Sequence, residues 1–116
     1  MARAIRPSLY DILQAIEGIE SALAGKSFDE FCHDWVLRHA VQRGIEIISE
    51  ACRRIPDELR KTHPEIPWRN ILGIGNVLRH EYESVSDEII WNAVQSHLPP
   101  LKKAIKAIER TLPSDG

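Results

Sequence analysis

The chain has 116 residues, the size of one domain, which argues against an enzyme built from separate cofactor and substrate domains. Hydrophobic residues make up 43% and charged residues 28%, a composition that argues against a disordered, collagen-like or disulfide-scaffold protein. Lys and Arg total 15 against 17 Asp and Glu, a formal net charge of −2, which disfavours nucleic-acid binding through bulk positive charge. Any contact with RNA must therefore be local.

The sequence also bears on where the chain works and how its cysteines behave. It has no apolar stretch of membrane-spanning length, and its first residues, MARAIRPS, enter an amphipathic pattern without the apolar stretch of a signal peptide. We therefore expect a cytoplasmic protein with no membrane partner. In that compartment, Cys32 and Cys52 are expected to be reduced and mostly buried rather than joined in a disulfide.

The first half of the chain predicts two helices. Apolar residues at spacings of three and four predict a helix over 9–23 that is opened by Ser8. Ser27 and Glu30 have the spacing of a capping box, in which each side chain bonds the backbone amide of the other residue. The apolar pattern that follows predicts one long helix, continuing almost to Pro56 and buried on more than one side. Its small residues would let a neighbouring helix approach closely: Ala40, Gly44 and Ala51.

The second half of the chain predicts two further main helices. The prolines and charges of 56–67 predict one short helical turn and a connector, after which an apolar pattern resumes over 68–85. Ser86 and the acidic residues that follow it predict the start of a final helix, which Pro99 and Pro100 should kink or split. Because no alternating strand pattern and no repeat is present, the sequence predicts an all-α up-and-down bundle of four main helices.

The helix predicted over 68–85 has two distinct faces. Its apolar residues form one stripe that should face the core: Ile71, Ile74, Leu78, Tyr82 and Val85. Its other face is polar and includes a glycine: Arg69, Gly73, Asn76 and His80, flanked by Arg79 and Glu83. Glycine inside a helix costs about 1 kcal/mol relative to alanine. Gly73 and Gly75 therefore indicate close approach to the backbone, either by a neighbouring helix or by a substrate or partner subunit.

His80 is the candidate catalytic residue. It is the only histidine whose helical neighbours include an amide and arginines, which can hold a phosphodiester while an imidazole moves a proton. The alternative on spacing alone is a solvated surface histidine beside Glu81 and Glu83. The other histidines form no pair at metal-binding spacing, and neither cysteine lies in a CxxC motif, so no zinc site and no cofactor are predicted.

The chain, from LYDILQAIEGIE through AVQRGIEIISEA and EIPWRNILGIGNVLRHEYESVSDEIIW to LPPLKKAI, resembles the HepT-like toxins of the HEPN superfamily. The most specific segments are the helix that begins at Trp68 and ends in Arg79-His80-Glu81-Tyr82, and the Ile90-Trp91 pair beyond it. The resemblance implies a single HEPN-type domain over 1–116. It also implies a homodimeric, metal-independent endoribonuclease whose active site is a cleft between the two copies.

The resemblance assigns roles to the polar face and exposes one departure. The family signature is an Arg, four to six residues, and then His-x-Tyr, whose second half matches His80 and Tyr82. Position 75, where an Arg with four intervening residues would stand, is glycine, and the positions for five and six intervening residues are Ile74 and Gly73. His80 would then be the general acid and base, with Asn76 and a nearby arginine holding phosphate. The missing cation could be Arg79 of either subunit, or Arg69 if the dimer brings it in, and both arginines are expected to bind RNA phosphate.

The resemblance also implies a partner and leaves a second function open. Family members are commonly paired with a nucleotidyltransferase antitoxin that silences the toxin by transferring AMP to the motif tyrosine, which maps onto Tyr82. Without the resemblance, Tyr82 would be read as an aromatic residue at the edge of the core. The alternative function is a catalytically silent HEPN adaptor that binds a nucleotidyltransferase or a nucleotide. The variant Gly75→Arg should raise RNA cleavage if its site is open, or lose stability if Gly75 is pressed against a neighbour.

Overall fold

The computed structural model describes residues 2–81, 83 and 85–113, which are 81% helical and contain no strand. The all-α prediction is therefore confirmed over this part of the chain. Its helices are α1 (Ala2–Leu23), α2 (Phe28–Cys32), α3 (Trp35–Arg53), α4 (Asp57–Arg60), α5 (Trp68–Glu81) and α6 (Asp87–Thr111). Four of them are long, as the sequence predicts, and the short α4 is the predicted helical turn in the proline-rich connector.

Helix α3 is the centre of an up-and-down arrangement. It packs along α1 on one side and along α5 on the other, and α6 packs against α1. Ser49 and Arg53 near the end of α3 both bond Leu72 near the start of α5, so these two helices are antiparallel. Glu20 near the end of α1 pairs with Lys102 of α6 at 3.0 Å. The arrangement leaves one surface of α3 exposed between α1 and α5.

The core is aliphatic and is built from the predicted helical stripes. Burying one such side chain contributes about 1.5–3 kcal/mol, so these stripes hold the helices together. The stripe of α1 is almost completely buried, as the sequence predicts. The largest fully buried side chains of α1, α3 and α6 are Leu9, Ile12, Ile16, Val41, Ile48, Ile90, Leu101, Ile105 and Ile108.

Helix α1 begins earlier than the sequence predicts. The predicted start at Ser8 is wrong, because the helix begins at Ala2 and has Pro7 inside it. Ser8 is buried, at 3% exposure. A proline within a helix removes one backbone hydrogen bond, but Pro7 is exposed on the solvent side. The apolar stripe extends back to the buried Ile5, and Arg6 donates to the backbone carbonyl of Pro113, so this extension is anchored.

The predicted long second helix is also wrong, because it consists of two helices. The capping box of Ser27 and Glu30 is confirmed, with N···O distances of 2.9 and 3.1 Å, but it opens only the short α2. Asp34 then caps α3 by accepting a bond from the Leu37 amide at 2.9 Å. Aspartate stabilises a helix when it caps the first turn and destabilises one when it lies in the interior. Asp34 therefore favours a new helix start over a continuous helix. The break seats Phe31 of α2 in the core, 5.6 Å from the ring of Trp91.

Helix α6 runs through Pro99 and Pro100 without interruption, so the predicted split is wrong, while the predicted bend stays a prediction. Both prolines are exposed, so water can bond the carbonyls that lose their helical donors. Within the described ranges, no helix is both long and apolar enough to cross a membrane.

Candidate active site

The candidate site lies along the seam between α3 and α5, which is built on Gly75. This glycine is buried, and a Cβ atom added to it would lie 2.1 Å from Ser49 Oγ and 2.2 Å from Ser49 Cβ. Ser49 is itself buried and donates to the Leu72 carbonyl at 3.1 Å. Of the two explanations that the sequence leaves open for the helical glycines, close packing by a neighbouring helix is the one that applies to Gly75.

Gly73 has a different environment from Gly75. It is exposed, and a Cβ atom added to it would meet nothing within 4 Å. The predicted faces of α5 are confirmed at Ile71 and Leu78, which are buried, and at the polar residues, which are exposed. The predicted helix over 68–85 is too long, because α5 ends at Glu81, so Val85 lies beyond it, and Ile74 is only half-buried. Gly73 therefore leaves open backbone on the polar face, accessible to a molecule outside the fold.

The polar faces of α3 and α5 line a shallow, open cleft of about 610 Å³ beside Gly73. Arg79 Nη2 donates to Asn76 Oδ1 at 3.1 Å, and Arg79 Nη1 lies 3.4 Å from Glu50 Oε1. Arg53 donates to the Leu72 carbonyl at 3.1 Å, and its Nε lies 3.7 Å from the same Glu50 oxygen. We call this feature the arginine cleft; it is lined by Glu50, Arg53, Leu72, Gly73, Asn76 and Arg79.

The charges of the arginine cleft contribute little to stability. The side chains of Arg53 and Arg79 are each 47% exposed, and that of Glu50 is 39% exposed. Ion pairs at such exposure contribute about 0–1 kcal/mol, because water solvates the separated charges well. Two guanidinium groups converging on one carboxylate oxygen are also the arrangement that binds a phosphate. The cleft can therefore exchange its internal carboxylate for an external anion at low cost.

The structure brings some of the predicted site residues together and leaves others apart. Asn76 and Arg79 are in direct contact. His80 follows Asn76 by one turn on the same face and is exposed, but it does not line the arginine cleft. Arg69 is about 10 Å from Asn76 along the helix axis and lines other hollows, including the groove between α5 and α6. Tyr82 lies outside the described residues.

Glu50 and Arg53 are the site residues that sequence reasoning misses. They stand at i and i+3 on α3, more than 20 residues before Asn76. Their spacing on one helix is ordinary for a surface ion pair, so no local signal distinguishes them. Only the antiparallel pairing of α3 with α5, fixed by the Ser49 and Gly75 contact, places them opposite Arg79. In the sequence, Gly75 indicates that another helix packs closely against α5. Neither Glu50 nor Arg53 gives such a signal.

The cysteines offer no competing nucleophile. Both thiols are free, as the sequence predicts, with Cys52 buried and Cys32 half-buried. Burial raises the pKa of the Cys52 thiol to about 12, so it is protonated at neutral pH and cannot act as a thiolate. Within residues 2–81, 83 and 85–113, no three His, Cys, Asp or Glu side chains are grouped closely enough to hold a metal ion.

Comparisons with known proteins identify relatives along most of the chain. The family model described as "Ribonuclease HepT-like" matches residues 12–108. The protein named "Putative RNase TTE0752", from Caldanaerobacter subterraneus subsp. tengcongensis, is 41% identical over 89% of this chain and 92% of its own length. The protein named "Probable ribonuclease HepT", from Thermococcus cleftensis, is 36% identical over 95% of this chain and 100% of its own length. No solved structure matches significantly.

Proposed function

The chain belongs to the HepT-like ribonuclease family, and we propose that it is an endoribonuclease that binds RNA phosphate in the arginine cleft. The observation that carries this proposal is the convergence of Arg53 and Arg79 beside the open backbone of Gly73, with His80 on the same face. The cleft has two cations for a phosphate, and the exposed imidazole of His80 is a group that can accept and return a proton.

The proposed reaction uses the 2′-hydroxyl of the RNA as the nucleophile. His80 accepts the 2′-hydroxyl proton, a new bond forms between the 2′ oxygen and phosphorus, and the bond from phosphorus to the 5′ oxygen breaks. The imidazolium of His80 returns the proton to the departing 5′ oxygen. The guanidinium groups of Arg79 and Arg53 stabilise the negative charge that develops on the phosphoryl oxygens. No step in this scheme requires a metal ion.

The position of the catalytic cation follows from the packing of Gly75. An arginine at this position would meet the side chain of Ser49, so a motif arginine four residues before His80-x-Tyr82 has no room here. Arg79 and Arg53 reach the same polar surface from positions where their side chains are accommodated. We therefore propose that these two arginines supply the charge in place of the missing residue. Arg69 is proposed as a further phosphate contact, outside the cleft, for a longer RNA.

We propose that two copies pair through α3 and the polar face of α5, forming a composite cleft. Val36 and Ile47 of α3 are exposed at 69% and 36%, which is consistent with a covered surface on that helix. A second copy would also place an additional His80 near each arginine cleft. Sedimentation of the protein at high micromolar concentration tests this, and a monomer under those conditions would contradict the composite site.

We further propose that the protein is the toxin of a type VII toxin–antitoxin module, acting in the cytoplasm. Its partner would be a nucleotidyltransferase that transfers AMP to the Tyr82 hydroxyl, releasing pyrophosphate from ATP. The bulky anion would then stand two residues from His80 and repel RNA phosphate. Mass spectrometry after incubation with a cognate nucleotidyltransferase and ATP should find one AMP on the wild type and none on Tyr82→Phe.

His80→Ala is the direct test of the proposed nuclease. The side chain is exposed, so its removal should leave the thermal unfolding curve unchanged while RNA cleavage falls by about 10²–10⁴-fold. Cleavage by the wild type should also continue in the presence of a metal chelator. Cleavage by folded His80→Ala at the wild-type rate would exclude this residue, and loss of wild-type cleavage on chelation would exclude the metal-free mechanism.

The second candidate function is a catalytically silent adaptor that binds the nucleotidyltransferase or a nucleotide. The observation that favours it is Gly75, because the motif arginine is absent and its position is filled by Ser49. Cleavage of labelled RNA distinguishes the two functions. An adaptor should bind the nucleotidyltransferase but leave the RNA intact. Cleavage that depends on both His80 and Arg79 would exclude the adaptor.

A further inference from the structure

An exposed pair of stacked rings lies at the start of α3. The indole of Trp35 and the imidazole of His39 have ring centroids 4.0 Å apart and an interplanar angle of 29°. His39 Nδ1 lies 2.7 Å from the Trp35 carbonyl oxygen, to which it can donate a hydrogen bond. Trp35 nevertheless remains 64% exposed. The imidazole therefore covers one side of the indole and holds it in place, while a large part of the indole stays open to solvent.

This ring pair shares a face of α3 with the arginine cleft. Trp35 and Arg53 are 18 residues apart, which is five complete helical turns, so they point in the same direction from α3. Glu50 is within about 60° of that direction by the same geometry. The exposed apolar residues Val36 and Ile47 point about 100–120° away from it. The ring pair therefore lies on the arginine-cleft side of α3, next to the exposed strip that carries Val36 and Ile47.

The ring pair also lies at the other end of α3 from the arginine cleft. The end of α3 contacts the start of α5 through Arg53 and Leu72, whereas Arg38 near the start of α3 pairs with Asp87 at 4.0 Å, just past the end of α5. The ring pair and the arginine cleft therefore lie toward opposite ends of α3. From Glu50 to Trp35 the distance along α3 is about 22 Å, within reach of a few nucleotides of single strand.

We propose that Trp35 is a stacking platform for one base of single-stranded RNA, a few nucleotides from the phosphate held in the arginine cleft. The proposal rests on the proposed nuclease function and adds a base-binding subsite to it. Any base can stack on an indole, so the platform would favour unpaired RNA over duplex without reading its sequence. Because His39 already orders the indole, stacking a base would cost little further side-chain entropy.

The experiment measures binding of a short, labelled, single-stranded 2′-O-methyl RNA by fluorescence anisotropy. This RNA has no free 2′-hydroxyl, so wild-type protein binds it without cleaving it. We expect Trp35→Ala to raise the Kd about tenfold and Trp35→Phe to raise it much less, because a phenyl ring still stacks. The matched control is Tyr10→Ala, which removes another exposed aromatic side chain, 61% exposed on α1, and should leave the Kd unchanged.

A second arm identifies the base as the group recognised. A series of the same RNA with one abasic position at a time should contain a position that weakens wild-type binding about tenfold and leaves Trp35→Ala binding unaffected. Equal Kd values for the wild type and Trp35→Ala would overturn the platform while leaving the nuclease intact. A change in sedimentation of Trp35→Ala would assign the residue to a protein contact instead and overturn the platform. Absence of both RNA binding and cleavage by the wild type would overturn the proposed function itself.

Discussion

Helix α3 packs against α1 and α5 through two seams that each contain a tightly packed glycine, yet the seams differ in what surrounds that glycine. In the α1 seam, a Cβ atom on Gly44 would lie 2.8 Å from Ile19 Cδ1, and the surroundings are apolar. In the α5 seam, Gly75 faces the short side chain of Ser49, and Glu50, Arg53 and Arg79 line the adjacent surface. One seam borders an apolar groove, whereas the other borders a charged cleft.

The difference shows that close packing and an active surface are compatible in one helix pair. Gly75 brings the two backbones together, and this proximity places the charges of α3 opposite those of α5. The exposed ion pairs contribute little to folding, so the stability of this seam comes from its buried contacts. The charged residues of the α5 seam are therefore free to serve a ligand, and variants of the two seams should separate stability from function.

The largest expected effect is on RNA cleavage, from Arg79→Ala. Loss of one cation that stabilises the developing charge should lower kcat by about 10²–10³-fold, with little change in thermal stability. The matched control is Arg43→Ala on α3, whose side chain is 70% exposed and pairs with Glu46 outside the arginine cleft. Cleavage rates of the two variants on one labelled RNA give the comparison, and equal rates would remove Arg79 from the site.

The next effect is on stability, from Gly75→Ala. The new methyl group would overlap Ser49, so we expect a loss of about 2 kcal/mol in the free energy of unfolding and a fall of about 10 °C in Tm. Gly73→Ala, made on open backbone of the same helix, should instead gain up to about 1 kcal/mol from helix propensity. Thermal unfolding monitored by circular dichroism measures both variants.

A second-site change tests the cause of that loss. In the Gly75→Ala background, Ser49→Gly removes both atoms that overlap the new methyl group and should recover part of the lost stability. Ser49→Ala keeps the Cβ atom that would lie 2.2 Å away and should not recover it. If both double variants had the same Tm, contact with Ser49 would not be the reason for the glycine.

Gly44→Ala in the other seam should have a smaller effect. Its contacts are milder, with Ile19 Cδ1 at 2.8 Å and Cγ1 at 2.9 Å, so a small shift relieves them, and alanine gains up to about 1 kcal/mol in helix propensity. We therefore expect a net change within about 1 kcal/mol in the free energy of unfolding. Chemical denaturation of this variant beside Gly75→Ala compares the two seams directly, and a larger loss for Gly44→Ala would reverse their order.

The smallest expected effect on stability is that of Glu50→Gln. Its ion pairs are exposed, so the free energy of unfolding should change by less than about 1 kcal/mol. RNA binding should tighten, because the variant removes a negative charge that competes with phosphate for Arg53 and Arg79. Binding titrations at two salt concentrations measure this, and weaker binding would show that Glu50 mainly orients the arginines.

Local patterns were sufficient to predict much of the fold. The faces of α5, the capping box at Ser27 and the cap at Ser86 all depend on residues within a few positions of one another, and all three are present. The break at Asp34 was missed because the apolar pattern continues from Phe31 to Trp35 across it. The cap at Asp34 competes with a continuous helix through this segment. The contacts of α2 with α6 favour the break.

The candidate site was predictable only in part, because two of its features depend on tertiary packing. Gly73 and Gly75 are indistinguishable in the sequence, yet one is open and the other is pressed against Ser49. Asn76 and Arg79 are one turn apart on α5, so their proximity follows from helical spacing. Glu50 and Arg53 reach them only through the packing of α3 on α5, which sequence spacing on either helix does not specify.

The two prolines inside α6 have a consequence for local opening of the helix. Pro99 and Pro100 have no amide hydrogens, so the carbonyls of Gln95 and Ser96 have no donor one turn later. Two successive gaps in the hydrogen-bond ladder divide the helix into segments that can fluctuate separately. The later segment, anchored to α1 through Lys102 and Glu20, should then exchange its amide hydrogens more slowly than the turn just before the prolines. The two parts of this uninterrupted helix would thus exchange their amide hydrogens at different rates.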